Sequence, residues 1–211
     1  MIFNTFGKSQ ICLLVGLFLI GVVSWANATT KGLNQIVTPD IQTMGQLSIS
    51  MQGQASAIGN SEELQYELGI TKNFEVAVFQ GFNPGETMIH TELGIIQTKS
   101  FLLSTGILDI ENGMTAQPFI EAGYYYDNGK GALIAGAQYQ SPGYVAVLGA
   151  DYQISPRLLV AVDYLGGSVN FLTAGITYSL TPELSFNPAL YIGNADHGIY
   201  GYGVLTYNIK M

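Results

Sequence analysis

The chain has 211 residues, and its seven Lys and Arg against fifteen Asp and Glu give a formal net charge of −8 at pH 7. Hydrophobic residues make up 48% of it and charged residues only 10%, against about 25% in ordinary soluble proteins. The acidic balance argues against a nucleic-acid partner, and the low charge predicts a protein whose solvent is partly lipid.

The first 28 residues follow the pattern of a secretory signal peptide. Lys8 precedes an apolar run from Ile11 to Ala26, and residues 26–28 form a small-x-small cleavage site. The run is shorter than the roughly 20 residues that a spanning helix needs, which favours a cleaved signal over a retained N-terminal helix. Cys12, the only cysteine, lies in this segment, so we expect no disulfide or thiol chemistry in the mature chain.

Residues 29–43 lie between this signal and the first predicted strand. The stretch NQIVTPDIQT, residues 34–43, is more apolar than a free linker usually is. Two interpretations therefore remain open for residues 29–43. They form either a partial plug that folds back into the following domain or an ordinary periplasmic lead.

From residue 44 onwards, strand-like segments alternate with polar breaks. No stretch beyond Ala28 approaches 18 uncharged apolar residues, which excludes spanning helices and leaves a closed β-barrel as the structure that satisfies every backbone group in hydrocarbon. Short breaks begin at Thr71, Thr98, Asp127, Ser155 and Thr181, at intervals of 26 to 29 residues. Each interval has room for two strands of about 9 to 11 residues and their connections.

We therefore predict an all-β fold, a transmembrane up-and-down antiparallel β-barrel over residues 44–211. It has twelve strands, with ten as the alternative, because an even number returns the chain to its starting side. The predicted strands are 44–54, 63–71, 73–82, 87–97, 101–109, 117–126, 131–140, 144–154, 158–165, 169–180, 184–193 and 199–211.

Apolar and polar residues alternate within these segments, so each strand has one apolar and one polar face. Leu64, Tyr66 and Leu68 share one face, for example, with Gln65 and Glu67 on the other. The polar faces carry mostly Gly, Ser, Thr and Gln, which favours a barrel in lipid over a soluble β-sandwich. Glycines recur on the predicted inner face, where they would widen the lumen, let strands curve or admit a close backbone approach. They are Gly69, Gly94, Gly106, Gly123, Gly136, Gly149 and Gly175.

Aromatic residues gather towards the strand ends, as in the two girdles that meet the lipid headgroups. Residues 44–211 resemble small, porin-like outer-membrane barrels of Gram-negative bacteria. The resemblance rests on these belts, the Ala-x-Ala signal, the even strand count and a strand at the extreme C-terminus. Stretches such as ISPRLL and LTPELSF are typical of this architecture and do not indicate a particular activity. The chain departs from the family by ending on Met211 rather than on an aromatic residue. The two belts are Phe74, Phe101, Tyr126, Tyr152, Tyr178 and Tyr207 near the short turns, and Phe82, Phe119, Tyr139, Tyr144, Tyr164, Tyr191 and Tyr202 near the longer loops.

The resemblance implies a location in the bacterial outer membrane and three kinds of partner: outer-membrane lipids with lipopolysaccharide, the barrel-insertion machinery, and small solutes. Charge sidedness agrees with it. Basic residues lie near the short turns, which predicts that this end is periplasmic, whereas the longer loops are acidic and suit divalent ions bound to lipopolysaccharide. The mature basic residues are Lys31, Lys72, Lys99, Lys130, Arg157 and Lys210.

The predicted inner faces carry many more acids than bases, so we expect a negative lumen that concentrates cations. This predicts a narrow passive channel for small neutral or cationic solutes, with no cofactor and no metal site. The alternative interpretation of the acids is that they are merely solvated. The predicted pore-lining residues are Glu67, Glu75, His90, Glu92, Glu121, Asp151 and Asp163.

Two rival functions remain open at this point. One is an outer-membrane lipid-modifying or proteolytic enzyme, for which the chain offers His90 beside Glu92 and the pair Asp196-His197, but no serine in a recognisable context. The other is a plugged barrel with a structural or surface-contact role. The sequence therefore predicts no catalytic residue.

Overall fold

The computed structural model describes residues 32–83, 85–111 and 116–211, and the predicted signal peptide, residues 1–28, lies outside them. The described chain forms twelve strands that pair antiparallel with their sequence neighbours, and the first and last strands close the barrel. In this part of the chain, no helix has both the length and the apolar character that a membrane crossing requires. The strands are β1 (Gln46–Gln54), β2 (Glu62–Thr71), β3 (Phe74–Phe82), β4 (Gly85–Gln97), β5 (Phe101–Ile110), β6 (Gln117–Tyr126), β7 (Gly131–Gln140), β8 (Gly143–Ser155), β9 (Leu158–Leu165), β10 (Phe171–Ser179), β11 (Leu184–Gly193) and β12 (Ile199–Lys210).

The predicted twelve-stranded antiparallel barrel is confirmed, and the strand ends agree to within two residues. The start of β1 is later than predicted because Gly45 adopts a φ of +76°, and the amide of Gln46 donates to the carbonyl of Thr43 at 2.9 Å. This turn redirects the chain before strand pairing begins. β10 also starts late, because the backbone N–H of Asn170 donates to the Gly167 carbonyl at 3.4 Å in a turn. The Asn170 side chain holds this turn by donating to Gln140 Oε1 at 2.7 Å and to the Gly166 carbonyl.

The two ends of the barrel differ in their connections and charge. We call the end with the connections after β2, β4, β6, β8 and β10 the turn end, and the opposite end the loop end. The turn end carries Lys72, Lys99, Lys130 and Arg157 in its connections, with Lys210 at the last position of β12. The predicted clustering of basic residues at one end therefore holds for every basic residue in the described ranges.

The outer surface of the barrel is apolar, as β11 illustrates. Phe186, Leu190 and Ile192 are exposed outside, whereas Asn187 and Tyr191 between them are buried inside. Large apolar side chains across all twelve strands share this outward exposure. Each square ångström of such surface costs about 25 cal/mol in water, so hydrocarbon is the solvent that suits it.

Three aromatic residues assigned above to the outer belt near the longer loops lie inside instead. Phe119 and Tyr191 are buried, and both line a luminal cavity together with Tyr202. Position along a strand was the wrong guide here, because the alternation decides the face: Leu190 and Ile192 point outwards, so Tyr191 must point inwards.

A positive charge on the outer face should destabilise the barrel. Leu148, in the middle of β8, is 49% exposed, and we expect Leu148→Arg to cost about 2–4 kcal/mol of unfolding free energy in lipid vesicles, as at a bilayer midplane. Val169→Arg, in the connection before β10, is the control and should cost close to nothing. Equal costs in urea unfolding would show that the outer face does not meet hydrocarbon.

Candidate functional site

Residues 32–43, which we call the luminal segment, run along the inside of the barrel wall. Leu33, Asn34, Ile36, Thr38 and Gln42 in this segment are all buried. The segment hydrogen-bonds to side chains or backbone of β3, β4, β6, β9, β10 and β11. The space inside the barrel is therefore partly filled by the chain itself.

The beginning of the luminal segment is held by polar groups of β9 and β10. The Asp163 carboxylate accepts the backbone N–H groups of Asn34 at 2.8 Å and Gln35 at 3.3 Å. The Gln35 side chain donates to the Phe171 carbonyl at 3.0 Å and accepts from its N–H at 3.2 Å, as a neighbouring strand would. The Asn34 amide also donates to Thr173 Oγ1 at 3.0 Å.

Apolar contacts hold the same part of the segment. Leu33 and Ile36 form a buried cluster with residues of β7, β8 and β9. The far part of the segment is held by hydrogen bonds. Gln97 Nε2 donates to the Pro39 carbonyl at 2.9 Å, and the Tyr125 hydroxyl donates to Asp40 at 3.3 Å. Gln42 donates its N–H to Glu75 and its side-chain amide to Ser48. The wall residues of the apolar cluster are Ile134, Val147, Ala161 and Leu165.

Five of the seven predicted inward glycines lie directly under the luminal segment, and we call these five the glycine track. A Cβ atom at Gly149 would lie 2.6 Å from Leu33 Cδ1, one at Gly123 would lie 2.8 Å from Pro39 Cγ, and one at Gly94 would lie 2.8 Å from Ile41 Cγ1. Real Cβ atoms essentially never come this close to a neighbour. A larger residue at these positions would therefore force the segment or its side chains to move. The track consists of Gly69, Gly94, Gly123, Gly149 and Gly175, one each from β2, β4, β6, β8 and β10.

The luminal segment lies between two cavities. The larger, of about 660 Å³, is at the loop end, and the smaller, of about 200 Å³, is at the turn end. Gly32 and Leu33 line both of them. The first residues of the segment therefore separate the larger cavity from the smaller one.

The predicted pore-lining residues are divided among three places. Glu67, Glu75, His90 and Glu92 line the larger cavity, and Asp151 lines the smaller one. Glu121 and Asp163 belong to the lining of neither: Asp163 holds the luminal segment, and Glu121 is buried against the backbone of Gly136. The role of all seven residues in a pore stays a prediction.

Two acids of the larger cavity are missing from the pore lining predicted above. Glu63 and Asp109 both line it, and Asp109 accepts a hydrogen bond from Gln117 at 2.6 Å and lies 2.9 Å from His90 Nε2. Glu63 could have been found, since it has the same parity in β2 as Glu67. Asp109 could not, because its φ of +53° breaks the strand geometry on which parity relies.

The two histidines considered for catalysis lie on separate elements, His90 in β4 and His197 in the connection after β11. Asp196 is engaged in closing that connection: its carboxylate accepts the Gly198 N–H at 2.9 Å and the Tyr200 hydroxyl. These hydrogen bonds, the one from Tyr200 above all, lower the pKa of Asp196. Within the described ranges, no three His, Cys, Asp or Glu side chains are grouped so as to hold a metal ion.

No protein-family model and no curated protein sequence matches this chain. Among solved structures it is similar to the KdgM porin in complex with disordered oligogalacturonate, with a TM-score of 0.55 and 11% identity over 77% of this chain and 98% of the other. A second KdgM porin structure gives a TM-score of 0.53 and 12% identity over 77% and 98%. The NanC porin gives 0.49 and 10% over 78% and 100%, which is too low to add weight. These identities show a shared fold alone, and at that level they confirm the resemblance to small porin-like barrels.

Alanine substitutions in the barrel should separate glycines that touch the luminal segment from one that does not. At Gly69 a new Cβ meets the carbonyls of Gln42 and Thr43, which are backbone atoms, whereas at Gly149 it meets mobile ends of side chains. Gly53 has open space around it and is the control. We expect Gly69→Ala to cost about 1–3 kcal/mol of unfolding free energy, Gly149→Ala less, and Gly53→Ala close to nothing. An effect of Gly53→Ala as large as that of Gly69→Ala would contradict this order.

Proposed function

We propose that this protein is a porin-like passive channel of the bacterial outer membrane for small neutral or cationic solutes. The observation that carries the proposal is the charge of the larger cavity, whose walls hold five acids and no Lys or Arg among the described residues. In a lumen with low-dielectric walls such charge raises the local cation concentration and repels anions. The acids are Glu63, Glu67, Glu75, Glu92 and Asp109.

A location in the outer membrane is supported by the fold and by the different charges of the two barrel ends. A closed barrel with an apolar outside and a polar inside is the architecture of outer-membrane proteins. The basic turn end then faces the periplasm and the acidic loop end faces outwards, where divalent cations would link its carboxylates to lipopolysaccharide phosphates. Membrane lipids and the barrel-insertion machinery are further partners implied by this location.

The solute should differ in charge from the oligogalacturonate with which the similar KdgM porin forms a complex. Such a polyanion needs basic partners, and His90 is the one basic side chain among the described residues that line the larger cavity. Permeation here involves no covalent step. Glu67 and Glu92 set the field, and amide side chains such as Gln52 and Gln138 replace part of the hydration shell of the solute.

A second function, a plugged barrel with a structural or surface-contact role, is favoured by one observation, the luminal segment between the two cavities. Deleting residues 29–43 separates the two functions, because an unplugged channel should conduct more than the full chain. Conductance that stays absent after this deletion would favour the structural role. The enzymatic alternative has less support, since Asp196 is engaged in hydrogen bonds within its own loop and belongs to a different element from His90.

Neutralising two acids of the larger cavity should weaken cation selectivity. In planar bilayers with a salt gradient, we expect the reversal potential of the Glu67→Gln/Glu92→Gln double variant to lie closer to zero than that of the unaltered chain, because the lumen loses two negative charges. The double variant and the unaltered chain are each measured with and without residues 29–43, so that a closed channel does not hide the change in selectivity.

Glu62→Gln is the matched control, since Glu62 is exposed beside inward-facing Glu63 and does not line either cavity. It should leave the reversal potential unchanged. Barrels that carry no ohmic current in any of these forms, or that prefer anions, would refute the proposed channel.

A further inference from the structure

We propose that the luminal segment is a gate, which leaves the glycine track by turning about Gly45 at the turn end and so joins the two cavities. This inference rests on the proposed channel function. It goes further in naming the moving part, its binding site on the wall, its pivot and its direction of travel.

The binding site is a groove shaped for this segment. Each glycine of the track comes from an even-numbered strand, and all five contact residues between Leu33 and Thr43. The contacts follow the segment around the wall from Gly175 in β10, beside Asn34, to Gly69 in β2, beside Gln42 and Thr43. A glycine that served strand curvature alone would not need to contact the luminal segment, yet each of these five glycines does.

The contacts in the groove are of a kind that can be exchanged. Residues 32–43 are held by hydrogen bonds that involve side chains, several of them at Asn34 and Gln35, and by the side chains of Leu33 and Ile36. They lie outside the twelve-strand ladder. The gain from such contacts is similar in size to the entropy lost on ordering twelve residues. Bound and released states can therefore both be populated.

The pivot is defined by the point where strand pairing begins. The Gly45 N–H donates to the Gly69 carbonyl at 2.9 Å, and the Gly45 carbonyl accepts from Met211 at 2.7 Å. Beyond it β1 is paired on both sides along its length. Before it, one isolated bridge joins Met44 to Gly69, and residues 32–43 belong to no strand. Rotation at Gly45, with its φ of +76°, therefore draws Leu33 and Asn34 out through the turn end.

Release also changes the charge of the path. Asp163 now accepts two N–H groups of the segment, and Glu75 accepts a third from Gln42. Glu75 already lines the larger cavity, and Asp163 lines neither. When the segment leaves, Asp163 also faces the lumen. The open state therefore exposes one more carboxylate beside the larger cavity, which favours cations over anions more strongly than the walls of that cavity do alone.

A reversible cross-link in the full-length protein tests the gate. In Ile41→Cys/Gly94→Cys the sulfur of residue 41 takes the place of Ile41 Cγ1, 2.8 Å from the new Cβ, which suits a disulfide with its Cβ atoms about 3.8 Å apart. The only native cysteine, Cys12, lies in the predicted signal peptide. Pro39→Cys/Gly123→Cys is an equivalent second lock, since Pro39 Cγ is also 2.8 Å from the Cβ position of residue 123.

We expect oxidation to lower the open probability of both locked variants at least tenfold and reductant to restore it, with disulfide formation checked by mass spectrometry. Ile41→Cys/Ile95→Cys is the matched control: Ile95 is exposed on the outer face next to Gly94, so the pair cannot cross-link and conductance should not respond to oxidation. Single Gly94→Cys and Gly123→Cys variants, compared with the reduced pairs, measure any direct effect of the new side chain.

A locked barrel that conducts as well as its reduced form would overturn the gate. Labelling gives a result that does not depend on conductance, because Pro39 is fully buried and lines neither cavity. Pro39→Cys in the otherwise unaltered chain should react with a water-soluble maleimide without unfolding of the barrel, and a folded barrel that resists labelling for hours would also overturn the gate. If labelling proceeds but neither the reduced nor the oxidised form conducts, the gate's motion is supported and the channel function is refuted.

Discussion

The need to pair every backbone group in hydrocarbon governs this structure. β12 pairs with the whole length of β1, from Lys210 opposite Gln46 to Tyr202 opposite Gln54, so each of the twelve described strands has a neighbour on both sides. Closure also determines which side chains meet lipid and which meet the lumen, because successive residues of a closed wall must alternate between the two. The apolar outside, the acidic inside and the groove for the luminal segment all follow from that alternation.

A closed ring of twelve strands encloses more space than its own side chains fill, since eight strands already make a barrel whose interior is packed. This chain fills part of the space with residues 32–43. Where the segment touches the wall, the wall residue is a glycine, as at Gly149 and Gly123. Where the segment is absent, acids and amides remain exposed to the cavity. The luminal segment and the polar side chains thus occupy different parts of the inner wall. Movement of the segment would therefore open a path between the two cavities.

The charges inside the barrel serve two purposes. Asp163 is committed to the luminal segment through two N–H groups, whereas Glu67 and Glu92 line the larger cavity. His90 belongs to the same cavity, between Asp109 at 2.9 Å and the Phe79 ring at 4.0 Å. An acid that binds the chain's own backbone in the closed state and a solute in the open state would couple gating to selectivity.

Period-two alternation and the recurring polar breaks determined, from the sequence alone, the barrel, its twelve strands and the inward direction of Glu67 and Glu92, because these are local consequences of strand geometry. The same alternation would have placed Tyr191 inside had it been followed there. Only the tertiary structure decided that residues 32–43 lie in the lumen and which acids they engage, since Asn34 and Asp163 are 129 residues apart in the chain. Contacts across a closed ring depend on how all twelve strands are staggered, and no local pattern encodes that distance.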